Sequence, residues 1–334
     1  MSFLVKPAKG FLLGKFMPPH QGHVFLADFA RAYCEQLTIL VCSLPEDPIP
    51  GGLRWAWMKE LFPDCRVLWC REDLPQEPAD HPQFWDIWRD VVHRYAGKVD
   101  VVFASEGYGH RLAAEAGARF VPVDNARLAR PVSGTAVRAD PFAQWDFLPQ
   151  PVRPYFVKRV CLFGPESTGK SALAGYLGRR FGAVVVPEYG RTYTEAFGVE
   201  VQASDIQRIV QGHLAAVAAA KRQTKRVLIE DTDPVLSAVW AAMLETGLDP
   251  WFDTFDDYAD LYLLCDTSIP WVNDGSRYFP GDADRHRFFE ACEVELRKRG
   301  VRYVTISGAD WAERENQAVH AVMHAFPGLE LLTD

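Results

Sequence analysis

The octapeptide Gly164-Pro-Glu-Ser-Thr-Gly169-Lys170-Ser171 constrains the fold more than any other stretch of the chain. It fits the pattern G-x-x-x-x-G-K-[ST] and lies between the strand-like run Val160-Cys-Leu-Phe163 and a helical pattern. Glycines at positions 164 and 169 let backbone N–H groups of Glu166, Ser167 and Thr168 turn inward around phosphate oxygens. Lys170 reaches the outer phosphates, the Ser171 hydroxyl suits Mg²⁺ carried in with ATP, and the helix N-terminus adds its positive dipole end. Such a loop calls for a strand entering it and a helix leaving it.

Short β-branched or aromatic runs alternate with amphipathic stretches along the whole chain, the pattern of parallel strands joined by crossover helices. Strands are predicted at 11–16, 37–43, 66–70, 100–104 and 119–123, with helices at 53–62 and 84–95. Beyond them, strands are predicted at 159–163, 183–187, 227–231, 261–265 and 301–306, with helices near 170–181, 204–221 and 284–299. Between the two sets, Pro149-Gln-Pro-Val-Arg-Pro154 packs three prolines into six residues, which suits neither a helix interior nor a central strand. The chain therefore reads as two α/β domains, 1–150 and 151–334, in keeping with 334 residues. In open parallel sheets ligands sit beyond the carboxyl ends of the strands.

A net charge of −8, spread over both halves, argues against a surface that wraps nucleic acid or lies on anionic lipid. No window is apolar for the 18 or so residues that a membrane span needs, and no leader-like segment opens the chain. The seven cysteines are scattered, with no C-x-x-C pair, and read as reduced core thiols. The expectation is a soluble cytoplasmic protein binding small anions in local basic pockets, with assembly into homo-oligomers left open. Ten tryptophans supply more ring surface than packing requires, so some are candidates for flat ligands.

Four further groups of residues carry chemistry. Ile229-Glu-Asp231-Thr-Asp233 ends a strand-like run where a carboxylate could hold metal or accept a hydroxyl proton; Asp233, just before Pro234, equally suits a helix cap. The stretch from Trp271-Val-Asn-Asp274-Gly-Ser-Arg277 to Arg285-His-Arg287 has the composition of an arginine-bearing lid or of a plain loop. Gly14-Lys15-Phe16-Met-Pro-Pro-His20-Gln-Gly-His23 follows the first strand and places two imidazoles on one face of a helix start. There they can donate to phosphate oxygens as pyrophosphate leaves. Zinc is disfavoured, because no Glu of an H-E-x-x-H pattern and no nearby Cys accompanies them. Finally, Ser133-Gly-Thr135-Ala-Val-Arg138 offers hydroxyls and a guanidinium for a triphosphate, or a simple cap.

The H-x-G-H element at the front of the chain, with S-x-T-x-x-R at the end of the first half, resembles the nucleotidyltransferase superfamily. With a P-loop kinase motif behind it, the whole chain is similar to the NadR-type bifunctional proteins, which join nicotinamide-mononucleotide (NMN) adenylyltransferase to ribosylnicotinamide kinase. Further matches are Gln83-Phe-Trp85-Asp-Ile-Trp88, Ser105-Glu106-Gly-Tyr108 and Glu188-Tyr189-Gly-Arg191. The resemblance implies a Rossmann-like nucleotidyltransferase domain followed by a P-loop kinase domain. It also implies an enzyme of NAD salvage that binds nicotinamide riboside, NMN, ATP and NAD.

By that resemblance, His20, His23 and Arg138 bind ATP phosphates, Gly14, Lys15, Phe16, Ser133 and Thr135 line the same site, and Trp85 or Trp88 stacks the nicotinamide. In the kinase, Lys170, Ser171 and Arg277 serve ATP and Mg²⁺, Asp231 is the base or metal-side carboxylate, and Tyr189 with Trp271 sandwiches the riboside. Glu188, Arg191, Asp233 and Asp274 complete that pocket. Two departures stand out. The first strand begins about ten residues from Met1, leaving no room for the helix-turn-helix of regulatory members, and Asn273 replaces an Asp usual in the lid. The rival readings are a front domain that only senses nucleotide, or one that transfers a nucleotidyl group to another acceptor such as phosphopantetheine.

Overall fold

The computed structural model describes residues 6–271, 278–279 and 281–332. The chain divides between Arg153 and Pro154 into two compact units. Each is built on a five-stranded sheet whose described pairings are all parallel.

In the first unit the strands are β1 (Lys9–Gly14), β2 (Gln36–Cys42), β3 (Arg66–Cys70), β4 (Val101–Ala104) and β5 (Arg119–Pro122). Their order is β3-β2-β1-β4-β5, so the chain reverses direction across the sheet between β1 and β4, where a ligand crevice forms at the strand ends. Successive residues on β1 serve opposite faces. Phe11 packs with Leu40, Trp88 and Val102, and Leu12 packs with Leu26, Ile39 and Met58. Covering both faces with helices is what makes these strands continuous apolar runs. The expected strand 11–16 ends early because Phe16 takes a left-handed φ of 47° and turns the chain out of the sheet.

In the second unit the strands are β6 (Lys158–Phe163), β7 (Val184–Val186), β8 (Val227–Asp231), β9 (Leu261–Cys265) and β10 (Tyr303–Ile306), in the order β10-β9-β6-β8-β7. The central strand β6 leads straight into the Gly164–Ser171 loop. The proline-dense joint does not stay wholly irregular, as Pro154 occupies the first turn of a short helix, Arg153–Phe156, where its missing N–H costs nothing. Arg285 and Arg287 belong to the helix Asp282–Lys298 and not to a lid loop.

Inside this sheet Arg159, Glu230 and His213 form a buried charge network. Arg159 donates to both carboxylate oxygens of Glu230, through Nη2 to Oε2 at 3.0 Å and through Nε to Oε1, and His213 Nε2 lies 3.2 Å from Oε2. Truncating Glu230 leaves the buried Arg159 only the exposed carboxylate of Asp257, at 2.9 Å, as a counter-charge. Glu230→Ala is expected to destabilise the protein by about 3–5 kcal/mol, read as a lower urea midpoint, and an unchanged midpoint would show that the network contributes nothing.

Candidate active sites

The first unit holds a cavity of about 950 Å³ where β1, β2 and β4 end. His20 caps the helix Gln21–Tyr33, its Nδ1 accepting the Gly22 N–H at 3.2 Å, while His23 Nδ1 accepts the His20 N–H at 3.3 Å. The two rings stack at 3.8 Å. With each Nδ1 accepting from the backbone, each neutral ring carries its proton on Nε2 and offers an N–H donor. Burial, then the charge of Arg127, lowers the His20 pKa to about 4. Burial, then His20 and Arg127, depresses that of His23 well below the ordinary range. Both imidazoles are therefore neutral donors near pH 7.

The second motif is locked onto the first. Arg138 donates through Nη1 to the Met17 carbonyl and through Nη2 to Thr135 Oγ1 at 3.2 Å. Gly134 is required there, since a Cβ would lie 2.7 Å from the same Met17 oxygen. Ser133 is also an ordinary cap, accepting the Ala136 N–H at 3.1 Å, and with Thr135 and Arg138 it lines the cavity. Gly14, Lys15 and Phe16 line it too, although the Phe16 ring is otherwise buried in the core.

Sequence reading missed the brace beneath this loop. The fully buried Arg54 donates to Asp47 at 2.6 Å, to the Lys15 carbonyl at 2.5 Å and to the Cys42 carbonyl at 3.2 Å. Asp47 also lies 3.7 Å from the Lys15 ammonium. Only the fold brings these four residues together, and an arginine in a helix otherwise reads as a solvated face. Trp85 and Trp88 both reach the cavity, with Trp88 Nε1 donating to the Pro75 carbonyl at 3.0 Å.

The second unit holds a cavity of about 640 Å³ around the Gly164–Ser171 loop. Gly164 (φ 130°) passes so close to β9 that a Cβ would lie 2.6 Å from the Cys265 carbonyl oxygen. At Gly169 (φ 81°) a Cβ would meet the Trp311 ring at 2.4 Å. Lys170 rests its ammonium on the loop carbonyls, 3.0 Å from Gly164 O and 2.6 Å from Pro165 O. Thr168 Oγ1 donates to Pro165 O at 2.8 Å, and Arg314, invisible as a site residue in the sequence, donates to Thr168 O at 3.0 Å. Glu166 faces the cavity, but its carboxylate accepts the N–H groups of Tyr278 at 3.1 Å and Phe279 at 2.6 Å. Ser167 and Ser171 are on the lining as well.

Asp231, at the end of β8, turns into this cavity with a buried Oδ1 that has no hydrogen-bond partner among the described residues. Asp233 does not join it, which corrects the expected substrate role. Thr232 takes a φ of 77°, and Asp233 then caps the helix Pro234–Met243, accepting from Leu236 N at 3.0 Å and from the Tyr262 hydroxyl at 2.6 Å. Glu188 faces the cavity with Arg191 3.9 Å away, and burial raises its carboxyl pKa.

The expected aromatic sandwich is also corrected. Tyr189 lies against the helix Ala203–Lys221, where a Cβ on Gly212 would come within 2.1 Å of its ring, and neither it nor Trp271 is on the lining. Trp240, Tyr278 and Trp311 are the aromatic residues on the described lining, the first two with ring centroids 5.6 Å apart and planes at 63°. Trp240 escaped notice because it sits in an apolar helix whose spacing reads as core. Asp274 and Arg277, expected to bind substrate and ATP, lie outside the described residues, as does Asn273.

Residues 159–314 match a family model described as an AAA domain. The chain is 27% identical over 342 residues to the trifunctional NAD biosynthesis/regulator protein NadR of Escherichia coli strain K12, covering 95% of this chain and 83% of that protein. The protein of the same name from Salmonella typhimurium strain LT2 is 27% identical over 338 residues, covering 94% and 82% respectively. Among solved structures, a NadR protein in complex with NAD and AMP-PNP superposes with a TM-score of 0.77 at 22% identity over 96% of both chains. A NadR protein in complex with NR gives 0.77 at 22% over 98% of both. The resemblance to NadR-type proteins thus runs nearly end to end, and the expected fold of two mainly parallel α/β units holds.

The histidine pair makes stability depend on pH. His20 takes up a proton near pH 6.5 when unfolded and near pH 4 when folded, so between those values the unfolded chain binds more protons and acidification disfavours the fold. The loss reaches at most about 3 kcal/mol by pH 4. His20→Asn, which keeps a capping side chain, should flatten this part of the urea-midpoint profile; an equal slope in both proteins would contradict the assignment.

Proposed function

We propose that the chain makes NAD from nicotinamide riboside in two steps. The second unit transfers the γ-phosphoryl group of ATP to the riboside 5′-hydroxyl, and the first joins the resulting NMN to the adenylyl group of a second ATP, releasing pyrophosphate. One observation carries this reading: two separate phosphate cradles, a stacked histidine pair and a Gly164–Ser171 loop, lie in a chain that resembles NadR throughout. The relatives are named for NAD biosynthesis, and the superposed structures hold NAD, AMP-PNP and NR.

In the kinase reaction Lys170 leaves the loop carbonyls for the transferring phosphate, exchanging neutral acceptors for a charged one. Asp231 and Ser171 fit Mg²⁺, since a hard cation takes oxygen ligands and the Asp231 Oδ1 is unpaired. Bound there, the ion would neutralise charge on the transferring phosphate. Asp231 ends β8, the immediate neighbour of the phosphate-loop strand β6, whereas Glu188 lies just beyond β7, one strand further out. Glu188 is therefore the better proton acceptor for the 5′-hydroxyl, its basicity raised by burial. Trp240 and Tyr278, both on the lining, supply aromatic surface for the pyridinium cation.

In the adenylyl transfer the NMN phosphate attacks the α-phosphorus of ATP in line. The two Nε2–H donors and Arg138 bind the phosphate oxygens, and no covalent intermediate on the protein is needed. Trp85 and Trp88 offer the nicotinamide ring a stacking wall.

Purified protein given nicotinamide riboside, ATP and Mg²⁺ should form NMN and then NAD, followed by chromatography. Lys170→Ala is expected to lower riboside phosphorylation by about 10²- to 10³-fold while leaving conversion of NMN to NAD, and His23→Ala should do the reverse. Accumulation of NMN without NAD would mean that the first unit only senses nucleotide, and an untouched riboside would refute the substrate. Within the kinase, Trp240→Ala should raise KM for the riboside about tenfold, and Tyr189→Leu should raise it far less. Equal effects would restore Tyr189 to the pocket.

A further inference from the structure

Four cationic side chains line the cavity of the first unit: Lys15, Arg127, Arg130 and Arg138. Three already have a local task. Lys15 is paired with Asp47, Arg138 ties its helix to the Met17 carbonyl, and Arg130 donates to the adjacent Ala129 carbonyl at 3.2 Å. Arg127 is different. Among the described residues its recorded polar side-chain contact is Glu106, at 3.4 Å, and both ends are about half exposed, 48% and 59%. Exposed pairs of this kind stabilise by little and exchange readily.

The backbone at Arg127 is nonetheless held in a defined turn. Its own φ is 52° and that of Asp124 is 46°, both left-handed. Asp124 holds the turn, its carbonyl accepting the Arg127 N–H at 2.8 Å and its carboxylate accepting the N–H groups of Leu128 and Ala129. Arg127 lines the same cavity as His20 and His23, and its charge helps to keep both imidazoles neutral. Those imidazoles are neutral, yet the leaving group gains negative charge as the reaction proceeds.

We propose that Arg127 receives the pyrophosphate leaving group, and that Glu106 occupies the guanidinium until pyrophosphate oxygens replace it. The assignment rests on the reading of the first unit as an NMN adenylyltransferase. In that step an NMN phosphate oxygen forms a bond to the α-phosphorus of ATP, the bond from that phosphorus to the bridging oxygen breaks, and its electron pair leaves on pyrophosphate. Arg127 presents two parallel N–H donors to that charge, the geometry suited to phosphate oxygens.

The reverse reaction isolates this contact. Incubated with NAD and inorganic pyrophosphate, the wild-type protein forms ATP and NMN. Arg127→Ala should raise KM for pyrophosphate by about tenfold to a hundredfold while leaving KM for NAD nearly unchanged, and Arg127→Lys should recover part of the loss. A misfolded fraction would lower kcat without this split. Glu106→Gln, which removes the competing carboxylate, should lower KM for pyrophosphate severalfold. The role of Arg127 is overturned if both KM values rise together or neither moves, and that of Glu106 if its variant binds pyrophosphate more weakly. A wild-type protein that forms NAD from NMN but gives Arg127→Ala an unaltered pyrophosphate KM refutes this inference alone; one that runs the reaction in neither direction refutes the adenylyltransferase reading beneath it.

Discussion

Main-chain carbonyls hold one cation of each cavity in place, Arg138 in the first unit and Lys170 in the second. Arg138 rests on Met17 O, Lys170 on Gly164 O and Pro165 O, and behind them Arg54 and Arg314 fix the carbonyls of Lys15 and Thr168. A carbonyl orients a cation without neutralising it, so Arg138 and Lys170 keep their charge available to an anion. A carboxylate in the same place would orient the cation too, but it would cancel that charge and compete with phosphate. The acidic balance of the chain as a whole is compatible with two anion sites for this reason, because the sites depend on a few local groups and on helix N-termini.

The same requirement explains why glycine recurs at the two loops. Close approach of backbone to backbone leaves no room for a Cβ at Gly134, facing Met17 O, or at Gly164, facing Cys265 O. The loops are thereby pinned to neighbouring segments of their own units, and their side chains inherit that precision. Parallel sheets with both faces covered direct all of this to one edge, since only the strand ends are open to ligand.

Much of this was legible in the sequence. The ten described strands fall within a few residues of their expected positions, because their cores are short apolar runs such as Val227-Leu-Ile229 and Leu261–Cys265, buried throughout. The two loops that line the cavities were legible because the spacing of their motifs is a backbone requirement. What failed was the assignment of side chains whose direction depends on one torsion. Asp233 looked like a partner of Asp231, but the left-handed turn at Thr232 sends it to cap a helix. Tyr189 looked like half of a sandwich, yet Gly212 gives its ring a slot on the neighbouring helix. Trp240, which does face the cavity, carries no local mark that separates it from core tryptophan. Arg54 and Arg314 were illegible for a related reason, as the loop carbonyls that they brace, of Lys15 and Thr168, lie far away in the chain.

The carboxylate of Glu166 joins two things usually treated apart. It belongs to the loop that surrounds phosphate, and it holds the amides of Tyr278 and Phe279, which carry the aromatic wall around Trp240. Any shift of the loop is therefore transmitted through two hydrogen bonds to this wall. Two ligands that favour the same position of loop and wall would each raise the affinity of the other by the same factor. A ligand held by the loop would bear on the wall through Glu166 without touching it.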